Sequence, residues 1–298
     1  MAFNWQTFKT RTLTAAVFVI VMLTGLVWNQ WSFLVLFSII HFGCWWEYTR
    51  LMEKIHSTFL HMYTKLGFML LGYGLMLWFC GPDYQIAGYR IKENFSLPVS
   101  FAGFILLITG LFQKMRVDPK SIGATALGLL YISLSWGLMM DLYSNVNFNN
   151  PVLRTGGEWF YVLLIPLFII GCMWINDTMA YIVGSLIGKT PFSKISPKKT
   201  WEGTIGGIIL SSLIMGYLAF TFDESFVFGK TFIWWTFLAI IASVSGTFGD
   251  LLESKLKRKA EVKDSGHIMP GHGGFLDRFD SLLLAIPFVW LYVRFLIN

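Results

Sequence analysis

The stretch TLTAAVFVIVMLTGLVWNQWSFLVLFSIIHFGCWWEY, Thr12 to Tyr48, holds two apolar runs, Thr12 to Trp28 and Trp31 to Tyr48, parted only by Asn29 and Gln30. Runs of this length are what a helix needs to cross a bilayer, where every backbone polar group must be satisfied within the segment. So short a connection predicts a tight helical hairpin, with Trp28 and Trp31 at the outer interface. Lys9 and Arg11 ahead of the first run resemble the basic start of a signal peptide. No small-residue cleavage site follows and a second span begins at once, so a retained first helix is expected.

Seven further runs complete the pattern: Leu66 to Gly81, Leu97 to Gln113, Ile122 to Leu142, Trp159 to Ile175, Thr204 to Phe222, Thr231 to Phe248 and Leu282 to Ile297. The 298 residues are 55% hydrophobic and only 13% charged, with a mean hydropathy of +0.60, so surface charge alone cannot keep them in water. The expected fold is an all-α polytopic membrane protein of about nine transmembrane helices, residues 1–298 forming a single integral membrane domain. Asp177 to Gly188 is too short and too rich in glycine to be counted as a tenth span. There is no internal repeat, no low-complexity tract and no boundary to a soluble domain.

Lys and Arg set the orientation, because positive loops stay on the cytoplasmic side. Alternate loops carry Lys9 and Arg11; Arg50, Lys54 and Lys65; Lys114, Arg116 and Lys120; Lys189, Lys194, Lys198 and Lys199; and Lys255, Lys257, Arg258, Lys259, Lys263 and Arg278. The other loops hold Arg90, Lys92, Arg154 and Lys230, while Arg294 falls inside the last span. The amino terminus is therefore expected in the cytoplasm and the carboxyl terminus outside. A net charge of +6 and a pI near 9.2 do not point to nucleic acid, since the positive residues are spread along membrane edges where an anionic leaflet explains them. Cys44, Cys80 and Cys172 lie in apolar spans and are spaced for neither disulfides nor zinc, so they read as small hydrophobes. The external loops Pro82 to Ser96 and Tyr143 to Gly157 carry no chemical constellation.

Charge is concentrated in the second half, residues 174–281. From Gly249 to Ser281 the chain packs Asp250, Glu253, Lys255, Lys257, Arg258, Lys259, Glu261, Lys263, Asp264, His272, Asp277, Arg278 and Asp280 around the run Pro270-Gly271-His272-Gly273-Gly274. Carboxylates hold hard divalent cations while Lys and Arg hold phosphate oxygens, so such a mixture suits metal-bridged polyphosphate. Asp277 and Asp280, three apart at the start of the last span, share a helix face, and Asp250 ends the preceding span. Converging, the three would bind one or two divalent ions, magnesium being expected. The plainer alternative is that Asp277 and Asp280 cap a helix while Asp250 pairs with a neighbouring lysine. His272 either touches phosphate or occupies a turn.

A second polar segment runs through Asn176-Asp177 and Ser196-Pro197-Lys198-Lys199-Thr200-Trp201-Glu202-Gly203. Gly184 to Thr190 imitates a phosphate-binding loop but has Val183 where that motif needs its first glycine, and glycines four apart more often serve helix packing. The lysine pair alone reads equally as a solvated basic loop. Asp177, just inside the end of a span, is costly unless paired or facing a polar cavity.

Together, Lys257-Arg258, Lys263-Asp264, Pro270 to Gly274, Asp277-Arg278 and Asp280 resemble the signature of the phosphatidate cytidylyltransferases, and Asn176-Asp177 with Ser196 to Gly203 is similar to that family's other polar segment. The resemblance implies transfer of a cytidylyl group from CTP to phosphatidate at the cytoplasmic face of a membrane, expected to be a bacterial inner membrane. It implies a homodimer, and magnesium, with or without a second cation. On that reading Asp250 and Asp277 hold metal, with Asp280, Asp264 and Asp177 behind them. Lys198, Lys199, Lys257, Arg258, Lys263 and Arg278 share the phosphates, with Thr200, Gly273 and Gly274 at the nucleotide and His272 beside them. A CTP-dependent kinase of a polyprenol or related lipid alcohol is the alternative; it would need a base for a hydroxyl and would release CDP. A transporter would place its ionisable residues near the bilayer midplane and show repeated halves, neither of which the chain does.

Overall fold

The computed structural model describes residues 5–113, 118–144, 158–193, 195–222, 228–266 and 273–297. Pro270, Gly271 and His272 of the signature, residues 145–157 of an external loop, and Lys114, Arg116 and Lys194 lie outside them. Helix dominates, in the order α1 (Trp5–Val27), α2 (Gln30–His56), α3 (Met62–Trp78), α4 (Ile91–Asn94), α5 (Ser96–Leu111), α6 (Pro119–Ala126), a π-helical turn (Leu129–Leu134), α7 (Ser135–Ser144), α8 (Glu158–Ile187), α9 (Trp201–Phe222), α10 (Phe228–Lys259) and α11 (Leu276–Tyr292), extended by π-helical residues Val293–Ile297. A two-residue hairpin, Gln85–Ile86 against Tyr89–Arg90, stands between α3 and α4.

All nine apolar runs fall on helical chain. Among the described residues, five helical stretches are long and apolar enough to cross a membrane: Ile91–Leu111, Pro119–Ser144, Ile165–Ile187, Trp201–Ala219 and Phe232–Lys259. The protein is an integral membrane protein. The hairpin expected from Trp28 to Trp31 forms, its second helix started by Asn29, whose side chain accepts the Ser32 N–H at 2.8 Å.

Two elements run further than their apolar cores. Helix α8 passes through Asp177 to Ile187, and α10 carries Asp250 through Lys259 instead of ending at the membrane edge. In α8 the continuing residues Ala180 to Val183 are apolar and nothing breaks the helix. In α10 the last turn holds Lys257, Arg258 and Lys259, cations that suit the negative end of the helix dipole. The expected loops are thus partly helix ends.

The chain forms two compact units, each made of two segments: residues 1–140 with 256–279, and 141–255 with 280–298. In the first, α3 and α5 meet backbone to backbone. A Cβ on Gly67 would lie 2.5 Å from the amide nitrogen of Leu107, and one on Gly74 would lie 2.6 Å from the Ser96 carbonyl. In lipid, where association rests on packing, such small-residue seams hold helices together. Around α2 the aromatic side chains Phe37, Trp136 and Phe279 are fully or almost fully buried, Trp136 meeting Phe37 at a tilt at 5.1 Å and Phe279 edge to face at 5.6 Å.

In the second unit α8 packs on α9 through small residues. A Cβ on Gly203 would sit 2.9 Å from Gly184 Cα, and one on Gly207 would sit 3.0 Å from Ala180 Cα. The glycines that imitate a phosphate loop are therefore a helix seam. Cys172 joins a small hydroxyl chain, with Ser243 at 3.2 Å, itself 2.9 Å from Ser211; Cys44, Cys80 and Cys172 are all buried and in thiol form.

Arg294 finds its counterion in Asp141, whose Oδ2 accepts from Arg294 Nη2 at 2.5 Å, Arg294 Nε at 3.1 Å and Trp290 Nε1 at 2.6 Å. Removing one partner of a mostly buried pair strands the other. We expect Asp141→Ala to destabilise by about 3 kcal/mol and Asp141→Asn, which keeps one acceptor oxygen, by less, as read from thermal unfolding in detergent.

Candidate active site

In the second unit Asp250 and Glu253 stand one turn apart on α10 and face Asp280 on α11, their oxygens all within 4.8 Å of one another. Gly249 permits this approach, since a Cβ there would lie 2.5 Å from the Asp280 carbonyl and 3.0 Å from Ser281 Cα. Glu253 and Asp280 are buried, and Asp250 is partly exposed. Carboxylates held so close repel unless a cation shares them. Lys199 Nζ makes an ion pair with Asp250 Oδ2, while Ser254 Oγ donates to Asp250 Oδ1 at 3.2 Å.

The segment before α9 fixes Lys199 in place. Its carbonyl accepts the Phe192 N–H at 2.7 Å and its own N–H reaches the Ser196 carbonyl at 3.1 Å, beside an antiparallel bridge from Pro191 to Thr200. Glu202 accepts the N–H groups of Lys189 and Thr190, each at 3.2 Å, and the Thr200 hydroxyl accepts the Gly203 N–H at 3.1 Å, capping α9. Lys198, next to it, is exposed.

The first unit carries a different arrangement around Asp277. Its Oδ1 receives Lys257 Nζ at 2.7 Å; its Oδ2 receives the Ser265 N–H at 2.9 Å, the Ser265 hydroxyl at 2.9 Å and the Gly274 N–H at 2.8 Å. Donors thus reach both carboxylate oxygens, three of them converging on Oδ2. Asp277 thereby ties Ser265 and Gly274 together, and Glu253 joins Asp250 and Asp280 in the acidic trio.

Glu47, on α2, completes this arrangement. It is 1% exposed, accepts the Phe275 N–H at 2.9 Å and the Leu276 N–H at 2.8 Å, and shares the one Ser265 hydroxyl, 2.7 Å away, with Asp277. An anion on the first N–H groups of α11 satisfies donors that have no partner within the helix and opposes the positive end of its dipole. The glycines of the signature make room for these two acids. Gly273 takes a left-handed φ of 83° with Asp277 Oδ2 2.6 Å from where a Cβ would be, and a Cβ on Gly274 would collide with the Glu47 carboxylate.

Of the residues expected to act, Asp250, Asp280 and Lys199 come together, and Lys257 joins Asp277. Arg258, Lys263, Asp264 and Arg278 are exposed. Asp177 is exposed on α8, while its neighbour Asn176 is buried with Oδ1 lacking a hydrogen-bond partner among the described residues. His272 lies outside them. Glu253 and Glu47 were overlooked. The signal for Glu253 was its three-residue spacing from Asp250; for Glu47 it was a lone acid in an otherwise apolar run, which in a membrane helix marks a committed partner.

The chain is 34% identical over 217 residues to phosphatidate cytidylyltransferase 4, chloroplastic, of Arabidopsis thaliana, covering 67% of this chain and 53% of the plant protein. It thus spans about half the length of that relative. It is 30% identical to the phosphatidate cytidylyltransferase of Staphylococcus saprophyticus, with 94% of this chain and 96% of the other aligned. With the Haemophilus influenzae protein of the same name it again shares 30% identity, over 97% of this chain and 99% of the other. The family model described as the cytidylyltransferase family matches residues 9–296, and with nearly the whole length covered the chain belongs to that family.

Proposed function

We propose that the protein transfers a cytidylyl group from CTP to phosphatidate, forming CDP-diacylglycerol and releasing pyrophosphate. The observation that carries this reading is the convergence of Asp250, Glu253 and Asp280, with Lys199 on the first of them, in a member of this family. A donor set made only of carboxylate oxygens fits a hard cation such as magnesium and offers zinc none of the nitrogen or sulfur it favours. Asp250, Glu253 and Asp280 would hold one or two such ions. Bound there, magnesium supplies positive charge against the polyphosphate.

The residues do the rest by position. A phosphate monoester has its second pKa near about 6, so the lipid nucleophile is already ionised and needs no strong base. The barrier is the meeting of two anions, which charge neutralisation and in-line placement lower. Lys199, and the exposed Lys198, Arg258, Lys263 and Arg278, supply that charge to phosphate oxygens. Lys257, Asp277 and Glu47 hold the glycine-rich segment in shape.

The same reading includes nine crossings, an amino terminus in the cytoplasm, the site at the cytoplasmic edge of a bacterial inner membrane, and a homodimer. The lysine and arginine distribution supports the orientation, and the family resemblance supports the dimer. At that edge CTP arrives from water and phosphatidate sideways from the leaflet, its acyl chains never leaving the bilayer. Purified protein given CTP, magnesium and phosphatidate is expected to release pyrophosphate in step with CDP-diacylglycerol. Release of CDP with a phosphorylated lipid alcohol would replace this reading with a kinase.

A further inference from the structure

The first unit contains a cavity of about 900 Å³, formed where the end of α2 and the turn after it meet residues 262–266. That is within the range of small-molecule sites and ample for a phosphorylated headgroup. Its wall carries three cations: Arg50 and Lys54, one turn apart on the same face of α2, and Lys263 from the signature segment. Two acids also line it, Glu53 and Asp264. Glu53 is already committed, taking Lys65 Nζ at 2.8 Å and the Leu60 N–H at 2.8 Å, so its charge is neutralised within the protein. The balance that an incoming ligand meets is positive.

Arg50 is also restrained, its guanidinium lying 4.9 Å from the centre of the Trp46 ring, which leaves less freedom to lose on binding. The rim is apolar. Phe59 lines the cavity and is 65% exposed, and Met62 and Tyr63 follow it, also exposed, at the start of α3. On the proposed topology, in which the apolar runs of α2 and α3 cross the bilayer, the short turn between them sits at its edge, where exposed aromatic residues anchor in the headgroup layer and Lys or Arg draw anionic lipid. Cations inside and grease at the rim describe an amphipathic anion better than a fully water-borne one.

We infer that this cavity binds the phosphate of an anionic lipid headgroup, with Arg50 and Lys54 as its donors beside Lys263. Resting on the function proposed above, the lipid is phosphatidate, and these two residues set the affinity for it. The test uses the full-length protein in phosphatidylcholine nanodiscs containing phosphatidate. The Arg50→Ala/Lys54→Ala double variant is expected to raise the KM for phosphatidate about tenfold or more, and to raise the KM for CTP far less. Arg50→Lys should restore part of that loss. Lys120→Ala, which removes one charge from the same set of loops but not from the cavity, should shift it less than twofold and so exclude a general surface-charge effect.

A second arm counts phosphatidate retained per protein by native mass spectrometry, where the double variant should hold about a tenth of what the parent holds. A rise in the KM for CTP alone would assign the cavity to the nucleotide and overturn the lipid reading; so would unchanged retention. Should the parent fail to transfer cytidylyl groups, the proposed function falls, but the retention arm still decides whether the cavity holds an anionic lipid.

Discussion

Asp280→Ala is expected to lower kcat by roughly 10²–10³-fold, the size of effect seen when one preorganised electrostatic group is removed. The same variant should unfold at the same temperature as the parent or slightly above it. Asp280 is one of three acids whose oxygens crowd within 4.8 Å, and taking one away relieves repulsion that the fold otherwise tolerates. This opposite movement of activity and stability separates a functional cluster from a structural one. Glu253→Gln should behave alike, losing turnover while keeping its volume. Asp250→Asn should lose more, since it also frees Lys199 from its ion-pair partner. Initial rates and thermal unfolding in detergent, measured on the same preparations, check all three. A fall in stability that tracks the fall in rate would instead make the trio a structural core.

Glu47→Ala should be nearly as damaging, by a different route. Two donors at the start of α11, the Phe275 and Leu276 N–H groups, lose their acceptor at once, and the Ser265 hydroxyl keeps only Asp277. Leaving a buried donor unsatisfied costs about 1–3 kcal/mol, so the substitution should destabilise by several kcal/mol and lower kcat together. Glu47→Gln keeps the shape and one acceptor oxygen. It should fold, yet its amide N–H groups face donors where a carboxylate accepted them, and the start of α11 shifts. We expect a kcat loss of about tenfold to a hundredfold in Glu47→Gln, with recovery of stability ahead of recovery of rate. Equal rates in Glu47→Gln and the parent would show that the carboxylate fills space only.

The contrast between these two sites shows what was legible in the sequence. Helix and membrane were readable because apolar runs of sufficient length have few other stable forms, and all nine runs fall on helix. The ends were not. Asp177 and the basic residues after Asp250 look like loop in composition, yet α8 and α10 continue through them, because polar side chains can be carried on a helix that projects beyond its apolar core. Asp250, Asp280 and Lys199 stood out as charge within oil. Glu253 did not, because it was taken as part of a charged loop when it shares a helix face with Asp250. Spacing and the family resemblance place Asp277 with Asp280, and neither reveals that Lys257, Ser265 and Gly274 also reach its oxygens. Glu47 is 218 residues from Ser265 in sequence, so only folding brings the two together.

The most direct test of the central claim is manganese binding, followed by electron paramagnetic resonance, in the purified protein and in the triple variant Asp250→Asn/Glu253→Gln/Asp280→Asn. One or two tightly held ions are expected in the parent and none in the folded triple variant, with loss of pyrophosphate release alongside. Equal manganese binding by both proteins would contradict that claim.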